Sequence, residues 1–283
     1  MKKSISFCLL FICLAFSTIY AQTQKLTSIN RDLVKVIELK VPKEGGANGA
    51  GIVWHPIQKK YYAAMAGNKS FSLAVFDEKG HLLSSPDQSA LLDVRGLWYN
   101  SQTKTIQANG YDAAGWWEYQ LDNKGMPTSI RELKSGKNQP DAQSCGAYDS
   151  KRNQLFFLNF RSGAIHYYDI KNGKKESNLF LVFGAANEDE DWEILFYEEE
   201  FNYDILSEYN RTTPIYTGID QAEIGLLNVE THTVELYNPQ TKYITHRLRL
   251  PLDLPGYYEL NFSYANGIYW LFDKVKRTWV GFQ

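Results

Sequence analysis

Between Asp32 and Phe282 apolar residues recur in short alternating runs instead of at helical spacing. These runs are rich in Tyr, Phe, Trp, Ile and Val and are bounded by Gly, Asn and Asp, the pattern of an all-β chain. The runs also repeat. Gly51-Ile-Val-Trp54-His-Pro-Ile-Gln-Lys-Lys-Tyr-Tyr62 resembles Gly96-Leu-Trp98-Tyr-Asn-Ser-Gln-Thr-Lys-Thr-Ile106 and Gly146-Ala-Tyr148-Asp-Ser-Lys-Arg-Asn-Gln-Leu-Phe-Phe157. Weaker copies start at Glu193 and Glu259, so the anchoring aromatics are Trp54, Trp98, Tyr148, Phe196 and Phe262, spaced by 44, 50, 48 and 66 residues. A hairpin motif trails most copies, as in Leu73-Ala-Val-Phe-Asp-Glu-Lys-Gly80 and His166-Tyr-Tyr-Asp-Ile-Lys-Asn-Gly173. Its alternation runs into an Asp- or Asn-led turn. Each unit therefore reads as four strands in roughly 45–50 residues, the period of a β-propeller blade.

The two ends complement each other. The last unit stops after a third strand, Thr278–Phe282, and an unassigned alternating strand, Asp32–Val41, precedes the first. Placing that strand at the outer edge of the last blade closes the ring and removes an exposed edge. The expectation is a single β-propeller over residues 22–283, of five four-stranded blades clasped by the N-terminal strand. Six blades, or a long β-sandwich, are the alternatives. The strand pair opening on glycine and an aromatic, followed by the Asp-led hairpin, resembles the exported YncE/NHL-type β-propellers over residues 32–283. That resemblance implies a fold and leaves function open, because such propellers include binding, scaffolding and catalytic members.

Composition adds location. Met1–Ala21 has a basic start at Lys2 and Lys3, an apolar stretch from Ile5 to Phe16 and a small residue, Ala21, before Gln22, which is the pattern of a cleaved signal peptide. Its apolar stretch is shorter than the ~20 residues that span a bilayer, so no stable membrane anchor is expected, and the product is secreted or periplasmic. Its removal leaves 262 residues, one cysteine (Cys145) and a net charge of −4 from 28 Lys+Arg and 32 Asp+Glu. One cysteine makes no internal disulfide, so the fold must rest on its core. Cys145 reads as a buried small apolar residue. Charge balance on the acidic side argues against a nucleic-acid partner.

In a propeller the loops leading into the inner strands share one face with those joining second to third strands, and a ligand is expected over that funnel. Counting back from each anchor places Asp93, Arg95, Gln143, Asp191, Glu193, Tyr257 and Glu259 on the inner strands, alongside Gly49, Gly51 and Cys145. Glu193, Glu259 and Asp191 are the candidate catalytic carboxylates, able to shift one another's pKa or to hold a divalent cation through oxygen. Arg95, Asp93, Gln143 and Tyr257 are candidate ligand contacts, joined by Tyr111, Asp112 and Trp116 from the second-to-third-strand loop of the second unit. Trp116 and Trp117 face opposite ways on a strand, so one can fill the core while the other stacks on a sugar or a protein partner. The long fourth interval is expected to insert around Arg211–Glu223, over the same face.

No nucleophile elbow, zinc-binding helix, phosphate loop or dinucleotide fingerprint occurs, and the five histidines are scattered. No cofactor is expected. The leading expectation is an exported, non-catalytic propeller that binds a protein or a glycan on its funnel face. The alternative is a five-bladed carbohydrate hydrolase or lyase using the funnel carboxylates, weakened because the first inner strand, Gly49–Trp54, carries none.

Overall fold

The computed structural model describes residues 28–42, 48–187, 189, 206–253 and 256–283. The leader pattern Met1–Ala21, the candidate carboxylates Asp191 and Glu193 and the expected anchor Phe196 lie outside the described residues.

Two N-terminal strands, β1 (Ile29–Asp32) and β2 (Lys35–Lys40), precede five antiparallel blades. The first blade is β3 (Asn48–His55), β4 (Lys60–Ala66) and β5 (Leu73–Asp77). The second is β6 (Val94–Asn100), β7 (Thr105–Gly110), β8 (Trp116–Leu121) and β9 (Pro127–Lys134). The third is β10 (Ala147–Asp149), β11 (Gln154–Asn159), β12 (Ala164–Asp169) and β13 (Lys175–Phe180). The fourth is β14 (Ile215–Tyr216), β15 (Ile224–Asn228), β16 (Thr233–Tyr237) and β17 (Ile244–Arg249). The fifth is β18 (Phe262–Ala265), β19 (Ile268–Asp273) and β20 (Thr278–Phe282), and its outer strand is β2. The chain is thus a five-bladed β-propeller, as the repeat predicts.

The clasp forms as the unpaired edge requires. Lys35–Lys40 runs antiparallel to β20, with Leu39 opposite Trp279 and Glu38 opposite Val280. Asp32, expected in the same strand, instead ends β1, which pairs parallel with β17 as a fifth strand on the fourth blade. The N-terminal segment therefore seals two neighbouring blades. In the first blade the outer position is irregular. Its edge amides are still met: Leu73 N donates to Gln88 O at 3.0 Å, and Val75 N to the Ser84 hydroxyl at 3.0 Å.

The inner hairpins fix the true register of the repeat. Lys59, Lys104 and Asn153 each close a turn with positive φ (51°, 60° and 56°). The turns start at His55, Asn100 and Asp149, whose side chains accept backbone amides of the turn. The residues immediately before them, Trp54, Tyr99 and Tyr148, are therefore equivalent. Taking Trp98, two residues after Gly96 as Tyr148 is after Gly146, misplaces the second anchor by one residue: in the first two blades, which share a β-bulge just before or at this glycine, the equivalent aromatic follows it by three. In the fifth blade the turn is the tight pair Asn266-Gly267, both at positive φ, with Ala265 opposite Ile268. Tyr264, not Phe262, precedes it.

The fourth blade corrects the expected insertion. Its inner strand is Ile215–Tyr216, so Arg211–Glu223 contains the inner strand and the turn after it, and does not join second to third strands. The added length falls between β13 and β14. Apolar side chains fill the spaces between neighbouring sheets, with Trp116, Trp270, Trp279, Tyr61 and Phe157 fully buried. Close approach of inner strands demands glycine at one position in particular. A Cβ on Gly96 would lie 2.4 Å from the Gly146 amide nitrogen.

Candidate functional site

The five inner strands surround an axial cavity of about 300 Å³. That is the low end of the roughly 300–1,000 Å³ typical of small-molecule sites. Each blade contributes to it the aromatic residue that precedes its inner turn, Trp54, Tyr99, Tyr148, Tyr216 and Tyr264, and Trp98 and Phe262 add to the lining. Of the first five, Tyr148 is buried and the other four are half-buried. Trp54 packs on Tyr61 with ring centres 4.5 Å apart, Tyr99 on His55 at 4.9 Å and Tyr264 on Tyr269 at 4.9 Å. Trp54 and Tyr264 are thereby held by their own blades and Tyr99 by the neighbouring first blade, while all three still line the axis. Burial pushes the phenols of Tyr99, Tyr148, Tyr216 and Tyr264 up, so this collar is uncharged at neutral pH.

The cavity has an open and a closed end. Pro56, Ser101, Ser150 and Asn266, from the inner hairpin turns, are exposed at its mouth. At the opposite end Ala50, Cys145, Thr213 and Phe262 are at most 5% exposed. Hydrogen bonds between blades knit that roof together. Asn109 Nδ2 donates to Ser144 O at 2.8 Å, and its Oδ1 accepts from Gly146 N at 2.9 Å. Asn210 Nδ2 donates to Tyr257 O at 2.7 Å and Leu260 O at 2.9 Å, while its Oδ1 accepts from Thr212 N and Thr213 N. Asn261 Oδ1 accepts from Gly49 N at 2.8 Å, and Cys145 N donates to Thr212 O at 2.9 Å. The Cys145 thiol accepts from the Thr213 hydroxyl at 3.3 Å, and burial pushes its pKa up to about 11, so it is an inert core group.

None of the lining residues carries a formal charge at neutral pH. The polar groups at the mouth are the hydroxyls of Ser101 and Ser150 and the amide of Asn266, whose Nδ2 donates to the Tyr61 hydroxyl at 2.8 Å. Ser263 is engaged: its hydroxyl accepts from Ile52 N and donates to Ile52 O, each at 3.0 Å, bridging the fifth and first blades.

The described candidates read from the sequence do not line the cavity, and among the described residues one arc of the expected polar ring assembles on the loop face beyond the roof. Arg95, 4% exposed, donates from Nη1 to Asp93 Oδ1 at 2.5 Å and from Nε to Gln143 Oε1 at 2.5 Å. Its guanidinium also lies 4.6 Å from the centre of the Tyr111 ring. Asp93 further accepts from Gly67 N at 2.7 Å. Arg95 and Asp93 thus neutralise each other, and the cluster ties the first, second and third blades together. Glu259 is exposed on the same face. Tyr257 stands apart from that cluster, with the Lys274 ammonium 4.2 Å above its ring. Asp112 pairs with Lys137 at 3.3 Å.

Trp116 is corrected outright. It is fully buried, stacked near Phe157 at 6.4 Å, while Trp117 is half-buried and donates from Nε1 to Ala114 O at 2.6 Å. Strand parity sends the two rings to opposite faces of the blade, and both faces are packed: Trp116 against the third blade and Trp117 against the core shared with the first. Among the described residues no group of three or more His, Cys, Asp or Glu is placed to hold a metal ion. No helix among them is long and apolar enough to cross a membrane.

The collar is absent from the site residues expected above, although each copy carries its signal: an aromatic residue just ahead of the inner turn. The aligned spacings are 45, 49, 68 and 48 residues, placing the long interval between the third and fourth blades.

No family model matches the chain, and no curated protein matches it. Solved structures with similarity to it include the glutaminyl cyclase of Myxococcus xanthus, with 9% identity, covering 91% of this chain and 98% of that one, at a TM-score of 0.48. The virginiamycin B lyase of Staphylococcus aureus aligns at 13% identity over 85% of this chain and 82% of that one, at a TM-score of 0.44. A nidogen/laminin complex aligns at 10% identity over 77% and 67%, at a TM-score of 0.43.

Proposed function

We propose that this chain is an exported binding propeller, akin to the YncE/NHL type, that holds a neutral glycan in its axial cavity. The collar of Trp54, Tyr99, Tyr148, Tyr216 and Tyr264 carries the reading. Sugar rings present flat C–H faces that stack on aromatic rings, and their hydroxyls pair with Ser and Asn groups such as those at the mouth. An uncharged wall selects against ionised ligands, since burying an unpaired charge is costly. The Met1–Ala21 pattern supports export.

A hydrolytic role finds less support. Glu259 is not among the residues lining the cavity, and Asp93 is held by Arg95. The test is titration of the purified protein with neutral oligosaccharides, followed by tryptophan fluorescence and calorimetry. Saturable binding is expected, and Trp54→Ala should weaken it about tenfold, the equivalent of ~1.4 kcal/mol. Binding unaffected by Trp54→Ala, with loss instead on Arg95→Ala, would move the site to the loop face.

A further inference from the structure

The cavity has one mouth, and its closed end restricts what part of a polymer can enter. We infer that it reads the terminal residue of a neutral glycan chain, end-on from the hairpin-turn face; this rests on the glycan reading above.

Three observations carry it. First, backbone and side-chain hydrogen bonds join neighbouring blades across the roof. Cys145 N to Thr212 O (2.9 Å) joins the third blade to the segment entering the fourth. Leu260 N to the Thr212 hydroxyl (2.8 Å) carries the seam on to the fifth blade, and Asn261 N to Gly49 O (2.8 Å) to the first. Asn109 closes the seam between second and third blades through Ser144 O and Gly146 N. A linear polymer cannot thread such a cavity. Secondly, about 300 Å³ at the low end of small-molecule sites holds a terminal unit and not an extended oligomer. Thirdly, the lining aromatics come from all five blades and so surround the axis, and do not lie as a flat strip along an open groove. A strip would stack the side of a chain at several successive units, whereas a circle encloses a single unit from all sides.

Linear and cyclic glucans of the same linkage separate these modes, because a ring has no terminus. The probes are maltohexaose against its cyclic hexamer, and linear against cyclic β-1,2- and β-1,3-glucans, titrated into wild type and Trp54→Ala. The expected result is that linear chains bind and cyclic chains bind at least tenfold more weakly. Trp54→Ala should lower the linear affinity, and chain length beyond two or three units should add little. Trp54-dependent binding of linear and cyclic forms with equal affinity would overturn end-on reading while leaving the cavity as the site. Absence of Trp54-dependent binding for every sugar in the panel would overturn the glycan reading itself. Thr212→Ala loosens the roof without touching the collar, and the linear-over-cyclic preference should fall in that variant. An unchanged preference would show that the roof does not impose it.

Discussion

Asn210 offers the sharpest test of how the blades are held around the axis. Its side chain is fully buried and makes four hydrogen bonds to backbone groups: to the carbonyls of Tyr257 and Leu260 and from the amides of Thr212 and Thr213. Asn210→Ala removes all of them together. Each buried backbone group deprived of its partner costs about 1–3 kcal/mol, and partial relaxation or a water entering the vacated space recovers some of that. The expected loss is therefore on the order of 3–5 kcal/mol, not the full sum. Equilibrium unfolding in urea measures it. With a slope near ~3 kcal/mol/M for a domain of this size, the midpoint should fall by about 1–1.7 M. Asn210→Asp keeps the acceptor but sets a carboxylate against two carbonyls, so it should be no milder. Asn68, exposed in a surface turn where its Oδ1 accepts from Ser70, supplies the control, with a loss below about 1 kcal/mol. A loss below about 1 kcal/mol for Asn210→Ala would refute the view that this side chain staples the fourth and fifth blades.

Four further outcomes follow from the same physical reasoning. Leu39→Ala in the clasp, at 0% exposure, should cost about 2–4 kcal/mol, whereas Val36→Ala, at 47% exposure, should stay within about 0.5 kcal/mol; thermal unfolding compares them. Trp116→Ala should cost about 3–5 kcal/mol yet leave ligand affinity at wild-type values in the folded fraction, as calorimetry at low temperature would reveal. Cys145 should resist maleimide or a disulfide reagent in the native state and react only after denaturant is added, because its thiol is buried and its pKa stands near 11. Glu235 is buried and accepts from Tyr209 at 2.5 Å and Tyr237 at 2.6 Å, and burial raises its pKa. Its contribution to stability is complete below the ordinary carboxylate range and is lost as pH rises through its raised value, since the unfolded chain gives up the proton first. Glu235→Gln should flatten stability against pH between the acidic range and neutrality, measured by urea midpoints across that interval.

The sequence by itself determined the sheet-rich class, the blade period and the closure. These depend on local alternation, on turn residues and on an edge that must be covered, and all three can be read along the chain. Trp54, Tyr148 and the Asp- or Asn-led hairpins marked the units, and the missing last strand called for the segment before Asn48. The tertiary structure decided the register, the fourth inner strand and the site. Trp98 and Tyr99 are adjacent aromatics, and only the inner turn closed by Lys104 shows that Tyr99 is the counterpart of Trp54. Ile215–Tyr216 is two residues long and shows no alternation; packing around the axis makes it a strand. Arg95 and Asp93 were legible as a polar pair, but their mutual neutralisation depends on side-chain directions that spacing does not encode. The collar is composed of single residues 45 to 68 positions apart, and only closing the ring brings them within reach of one ligand.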